Sequence, residues 1–211
     1  MELTAAEPRR KGLVQLYLDG EPGPKIDKEV FLLSRRKPGD FLTPEELEDL
    51  VERSDARRAR EKAMYLLEHR SHSKRELTEK VTRSGASREA AQAAADRLEE
   101  LGLLDDSAYA RDLARELVEH KRYGLRRVRQ ELARKGISRA LAEEILAPYG
   151  EDEDSFRENI SLVLERRYSQ WREDEKTRRR AVAALQRLGY SYDQIRETMG
   201  ALQSDWEDWE T

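Results

Sequence analysis

Three glycines, Gly85, Gly136 and Gly189, stand 51 and 53 residues apart in the contexts VTRSGAS, LARKGIS and LQRLGYS. The match around them is wider than glycine. Four residues earlier stands an apolar side chain (Val81, Leu132, Leu185), two earlier an arginine (Arg83, Arg134, Arg187), and two later a serine (Ser87, Ser138, Ser191). Each position has a physical reason. The apolar residue faces inward on a helix's last turn, and the arginine meets the negative end of its dipole. The glycine takes the left-handed cap, and the serine accepts amide protons at the start of the next helix. Self-similarity at this period predicts three stacked copies of one helical unit, because a single three-helix unit buries too little apolar surface alone.

The first copy would hold helices at about 56–70, 74–84 and 88–101, the second at about 106–121, 125–135 and 139–147, and the third at about 153–171, 175–188 and 192–202. Inward stripes follow from helical spacing: Ala63, Leu66 and Leu67; Leu77 and Val81; Ala91, Ala94, Ala95, Leu98 and Leu101; Ile160, Val163, Leu164 and Tyr168; Ile195, Met199 and Leu202. In the second copy Tyr109, Leu113 and Leu117, then Leu125, Val128 and Leu132, face in, with Asp105 or Asp106 as cap and a break at Tyr123-Gly124. Composition agrees with thin helical layers: 37% of residues are hydrophobic and 40% charged, a balance that suits wet outer faces better than a thick globule.

Ahead of the repeats, residues 1–11 lack periodicity and read as loose. Val14, Leu16 and Leu18 alternate as a short strand, Asp19 to Pro24 reads as a turn, and Glu29 to Ser34 is an apolar run able to pair back as a hairpin. Thr43-Pro44-Glu45-Glu46 carries a capping box with proline at the first helical position, which opens a helix to about Arg53. The expected fold is therefore mainly α, with tandem three-helix repeats in an elongated array preceded by a small β-hairpin plus helix. Its segments are 1–54, 55–102, 103–150, 151–203 and a mobile acidic tail at 204–211, SDWEDWET.

Without cysteine the chain can form neither disulfides nor thiolate metal sites, and a reducing compartment fits. No window approaches the length of an apolar membrane span, and MELTAAEPRRKG has no export signal's apolar core, so a cytoplasmic protein is expected. An active site is hard to find. His69 and His72 straddle a helix end with no third metal ligand nearby, and Asp105-Asp106 sits where a helix cap is needed. No nucleophile elbow, phosphate-cradling glycine loop or dinucleotide fingerprint is present. The expectation is a binding protein, monomeric, with no cofactor and no chemistry of its own.

Charge points to where binding would occur. The net charge of −4 says little, but Lys121 to Lys135 holds seven cations (Lys121, Arg122, Arg126, Arg127, Arg129, Arg134, Lys135) and one acid, Glu131. A second cluster, Arg166, Arg167, Arg172, Lys176, Arg178, Arg179 and Arg180, surrounds Tyr168 and Trp171 and is diluted by Glu165, Glu173, Asp174 and Glu175. Arginines beside aromatics suit phosphate contact with base stacking, and they suit an acidic protein surface equally well.

Three blocks, MYLLEHRSHSKREL (64–77), GLLDDSAYA (102–110) and YGLRRVRQELARKGI (123–137), resemble in order and spacing the RecX family, bacterial regulators of the RecA recombinase. The resemblance spans about 56–202, and the N-terminal segment resembles an extension that some members carry. Leu125 departs from the pattern, where many members have proline. The resemblance implies a non-enzymatic modulator that lies in the groove of the RecA filament on single-stranded DNA. There it restrains ATP hydrolysis, coprotease and strand-exchange activity in DNA repair and the SOS response. It also implies partner-binding roles for Arg70, Lys74 and Arg75 in the first block, and for Arg122, Arg126, Arg127, Arg129 and Lys135 in the second, where charge density adds Lys121 and Arg134. The alternative is a sequence-nonspecific DNA- or RNA-binding protein that acts without recombinase.

Overall fold

A computed structural model describes the backbone of residues 1–209, with the side chains of residue 151 and of 204–209 excluded. The tail expected to be mobile is helical in its backbone as far as residue 209, as the end of the last helix, and residues 210 and 211 lie outside the described residues. The chain divides into two compact units, Met1–Asp105 and Asp106–Thr211.

The N-terminal unit opens with three antiparallel strands, β1 (Leu3–Arg9), β2 (Leu13–Leu18) and β3 (Glu21–Asp27), in the order β1-β2-β3. This corrects the two-stranded hairpin in three places. The segment expected to be loose is β1, an edge strand that pairs Ala6 with Leu16 and tolerates Pro8 because only one of its sides needs hydrogen bonds. The turn is only two residues long. Asp19 and Gly20 both have positive φ, 51° and 85°, which brings Leu18 opposite Glu21, so Pro22 and Pro24 lie in the other edge strand. Glu29 to Ser34 is helix, within α1 (Lys28–Ser34), because the Asp27 carboxylate accepts from the amides of Glu29 and Val30 and starts it.

The capping box forms as expected, with Thr43 Oγ1 accepting from Glu46 N and Glu46 Oε2 accepting from Thr43 N, at 3.2 and 3.0 Å. The helix it opens, α2 (Pro44–His69), does not stop near Arg53 but runs on as the first helix of the first repeat. Nothing at Ser54-Asp55 breaks it, and Ser54 is turned inward, its Oγ accepting from Asp27 N at 2.7 Å. One helix thus packs on both β3 and α4. The first repeat is completed by α3 (Lys74–Arg83) and α4 (Arg88–Glu100) around Ala59, Ala63, Leu77, Val81, Ala95 and Leu98. Leu101 is exposed: the helix ends before it, and the chain turns so that Leu104 is buried instead.

In the C-terminal unit the second repeat comprises α5 (Asp106–Arg115), a π-helical turn at Glu116–His120, α6 (Leu125–Arg134) and α7 (Arg139–Glu151). The third comprises α8 (Glu153–Arg167), a 3₁₀ turn at Ser169–Trp171, α9 (Glu175–Leu188) and α10 (Tyr192–Trp209). Each repeat has its own core, and Leu125 and Tyr149 pack against both. The repeat signature works as its residues dictate. Gly85, Gly136 and Gly189 have φ of 105°, 85° and 101°. Ser87, Ser138 and Ser191 accept from the amides of Ala90, Leu141 and Gln194.

His72 in the first repeat is buried. Its Nδ1 lies 2.8 Å from the Arg70 carbonyl, and its Nε2 has no hydrogen-bond partner among the described residues. Burial holds the imidazole below its ordinary pKa, opposed by the hydrogen bond to the Arg70 carbonyl and by the Glu76 charge, with the Arg70 and Lys80 charges adding to the effect of burial. As pH falls through the ordinary histidine range, the unfolded chain takes up a proton that the folded one refuses, so stability is lost on acidification. Urea midpoints measured near pH 7.5 and pH 5.5 should fall more in the wild type than in His72→Leu. Parallel shifts would mean that His72 is not the group responsible.

Candidate functional site

In the first repeat the three expected cations serve the fold. Arg70 pairs with Glu76 at 2.7 Å and Arg75 with Glu79 at 2.9 Å. Lys74 bridges from α3 to Asp96 and Glu99 of α4, each at 2.6 Å, and these hydrogen bonds raise its pKa while lowering that of Asp96.

On α6, Val128 and Leu132 are buried, which turns the arginines outward. Most of these find acids. Arg127 and Arg134 share Glu131 at 2.8 and 3.0 Å, Arg129 reaches Glu143 on α7 at 3.0 Å, and Lys121 reaches Glu116 at 2.9 Å, which raises its pKa. Glu116 and Glu143 lie outside the sequence window in which the charge was counted, so the helical packing neutralises more of the cluster than the window indicates. The Lys121 and Arg129 pairs are exposed and contribute about 0–1 kcal/mol, whereas Glu131 is half-buried between its two arginines. Arg126 is exposed and forms no ion pair among the described residues. Lys135 caps α6 through its backbone.

The second cluster divides. Trp171 is buried at 1% exposure, under Arg172 and Arg178, whose guanidinium carbons sit 4.6 and 6.0 Å from its ring centre. Arg178 also donates to the carbonyls of Trp171 and Arg172 and to Gln203 Oε1. These residues clamp the core of the third repeat, so Trp171 is not a stacking platform. Arg179 is tied to Glu175.

Arg166 and Arg167 belong elsewhere, to a groove where the second and third repeats meet. The π-turn ends at Lys121, and Arg122 follows with φ 55°, a left-handed conformation that residues other than glycine rarely adopt. The Arg122 side chain donates to Asn159 Oδ1 at 2.5 Å, and its carbonyl accepts from Tyr190 Oη at 2.9 Å. Tyr190 is fully buried, which pushes its pKa upward. Gly124 then crosses the Gly189 backbone so closely that a Cβ on Gly124 would lie 2.4 Å from the Gly189 carbonyl carbon, while Gly124 N donates to Leu188 O at 2.9 Å. Two adjoining cavities, of 350 and 280 Å³, open along this seam and share Tyr123, Val163, Arg167 and Leu188. The first also has Lys121, Arg122 and Arg166 on its walls; the second has Arg127, Tyr168 and Arg187. No carboxylate lines either cavity, and Arg166, Arg167 and Arg187 form no ion pair among the described residues. Sequence reasoning missed this assembly because the Gly124–Gly189 contact joins Lys121 and Arg187 across the two repeats. The one local sign was the break itself, at Tyr123-Gly124.

Among the described residues, no group of three His, Asp or Glu side chains is placed to hold a metal, and no helix is long and apolar enough to cross a membrane.

Comparison with known proteins agrees with this architecture. Residues 59–98, 105–146 and 153–199 match the models of the first, second and third three-helix domains of RecX. The regulatory protein RecX of Prosthecochloris aestuarii is 33% identical over 149 residues, covering 71% of this chain and 96% of the relative. That of Clostridioides difficile is 26% identical over 196 residues, covering 92% and 91%. Among solved structures, a regulatory protein RecX aligns with TM-score 0.64 at 19% identity, over 93% of this chain and 98% of the other. RecX from Lactobacillus salivarius aligns with TM-score 0.62 at 20% identity, over 71% and 97%; both likenesses concern the fold alone. With three domain matches in the family's own order and a relative covered almost end to end, the chain belongs to the RecX family of regulatory proteins.

Proposed function

We propose that this protein binds the filament that the RecA recombinase forms on single-stranded DNA and restrains its ATP hydrolysis, coprotease and strand-exchange activities. It would act without catalysis, in the cytoplasm, during DNA repair and the SOS response. The observation that carries the reading is the set of three three-helix domains matched in family order. The outward arginines of α6, with Arg126 unpaired among the described residues, supply a surface for an acidic or phosphate-bearing polymer. The working modules are 55–102, 103–150 and 151–203, with 1–54 as an extension. A protein made of repeats can engage successive subunits of a helical polymer, and linked contacts strengthen one another through effective concentration. The partner surface lies mainly in the second repeat, on Lys121, Arg122, Arg126, Arg127, Arg129, Arg134 and Lys135. The ion-paired Arg70, Lys74 and Arg75 stiffen the first repeat as much as they contact a partner.

Titration into RecA filaments on single-stranded DNA tests the reading. ATP hydrolysis should slow at fewer than one copy per recombinase subunit. An unchanged rate at every ratio would refute it.

A further inference from the structure

We infer that the groove between the second and third repeats is a binding site for the backbone of single-stranded nucleic acid, with Arg166, Arg167 and Arg187 as its principal phosphate contacts. The inference deepens the regulator reading, since it names what one face of the chain holds.

Four observations converge on it. First, six cations (Lys121, Arg122, Arg127, Arg166, Arg167 and Arg187) line one continuous depression that has no lining carboxylate. Cations in a concave site repel one another and focus the field between them, so the arrangement calls for dense negative charge. Second, the cations of this unit differ in how they are satisfied. Those on α6 are tied mostly to Glu131 and Glu143, whereas Arg166, Arg167 and Arg187 are exposed at two helix C-termini with no ion pair among the described residues. They stand in the last turns of those helices, at the negative ends of the dipoles, with guanidinium forks available to phosphate oxygens.

Third, the depression is not purely ionic. Half-buried Tyr123 and Tyr168, with Val163 and Leu188, give it apolar and aromatic surface that a run of acidic side chains has no use for and that base faces do. Each lobe has the volume of about one nucleotide, and the two are contiguous, which suits successive positions of a strand better than a lone small anion. Fourth, the seam is rigid and locally strained. Arg122 is held left-handed between Asn159 and Tyr190, and the Gly124–Gly189 crossing fixes the spacing of the walls before any ligand arrives.

Fluorescence anisotropy of a short labelled oligothymidylate with the full chain, in the absence of recombinase, tests the inference. The variant is Arg166→Gln/Arg167→Gln/Arg187→Gln, whose exposed side chains keep good helix formers. Its control, Arg10→Gln/Lys25→Gln/Arg60→Gln, removes the same charge from exposed sites on the other unit. The groove variant should bind about tenfold or more weakly, with a salt dependence shallower by about two units for three lost contacts. The control should bind as the wild type does, and polyglutamate should compete poorly. The inference is overturned if the wild type does not bind, if the groove variant retains affinity, or if both variants lose equally. It is also overturned if polyglutamate displaces the strand as readily as free oligothymidylate, which would make the groove an acidic-peptide site. Circular dichroism confirms that each variant is folded. Because no recombinase is present, failure here leaves the filament reading standing, and failure to slow ATP hydrolysis leaves this one standing.

Discussion

Gly124→Ala destabilises the C-terminal unit by about 3 kcal/mol, the upper range for forcing atoms into a filled space. The backbone at Gly124 is ordinary, with φ −70°, so the cost does not come from conformation. It comes from space, since the added Cβ would sit 2.4 Å from Gly189 C and 2.5 Å from both Gly189 O and Tyr190 N. These are backbone atoms, and they cannot swing aside as a flexible side chain would. Relief requires separating the second repeat from the third, which sacrifices the Gly124 N to Leu188 O bond and the Tyr190 to Arg122 bond. For a unit of this size the melting temperature should fall by upwards of about 10 °C. Gly200→Ala is the control: it lies in α10, where the new Cβ meets nothing within 4 Å, and should be neutral or stabilising by up to about 1 kcal/mol. Equal melting temperatures for Gly124→Ala and the wild type would show that the two repeats are not locked at this crossing. The same variant should also lose the groove, whose walls the crossing holds in place.

The second large effect is functional. Reversal of Arg126, Arg127 and Arg129 to glutamate changes the charge of one helix face by six units without touching Val128 or Leu132 beneath it. Of the pairs broken, Arg129 with Glu143 is exposed and of small energetic value, and half-buried Glu131 keeps Arg134 when Arg127 is lost, so folding survives. The freed carboxylates add to the reversal, and a polyanionic partner meets repulsion where it met three guanidiniums. A loss of potency of about tenfold or more is expected, because like-charge juxtaposition across an interface costs several kcal/mol.

The repeat was legible because its determinants are local. A glycine that needs positive φ, a serine that caps three residues ahead and an apolar residue one turn before the end all act within a few residues of one another. The N-terminal sheet was not. Proline in β1 and β3 masks edge strands, and the apolar run at Glu29–Ser34 is short enough to pass for strand until Asp27 caps it. Half of the basic site was legible as charge density on α6. Its neutralisation by Glu116 and Glu143 depends on where the fold brings those acids. The groove depends on a glycine–glycine crossing between repeats, and Trp171 sat among arginines in sequence because they cover it, a relation that composition alone reads the other way.

On the proposed function, regulation runs through the arginine face of the second repeat. It is tested most directly by the rate of ATP hydrolysis on RecA filaments titrated with wild type and with Arg126→Glu/Arg127→Glu/Arg129→Glu, helicity being checked on the same samples. Wild type should slow hydrolysis substoichiometrically, and a fully helical variant should slow it about tenfold more weakly. Equal slowing by a folded variant would contradict it.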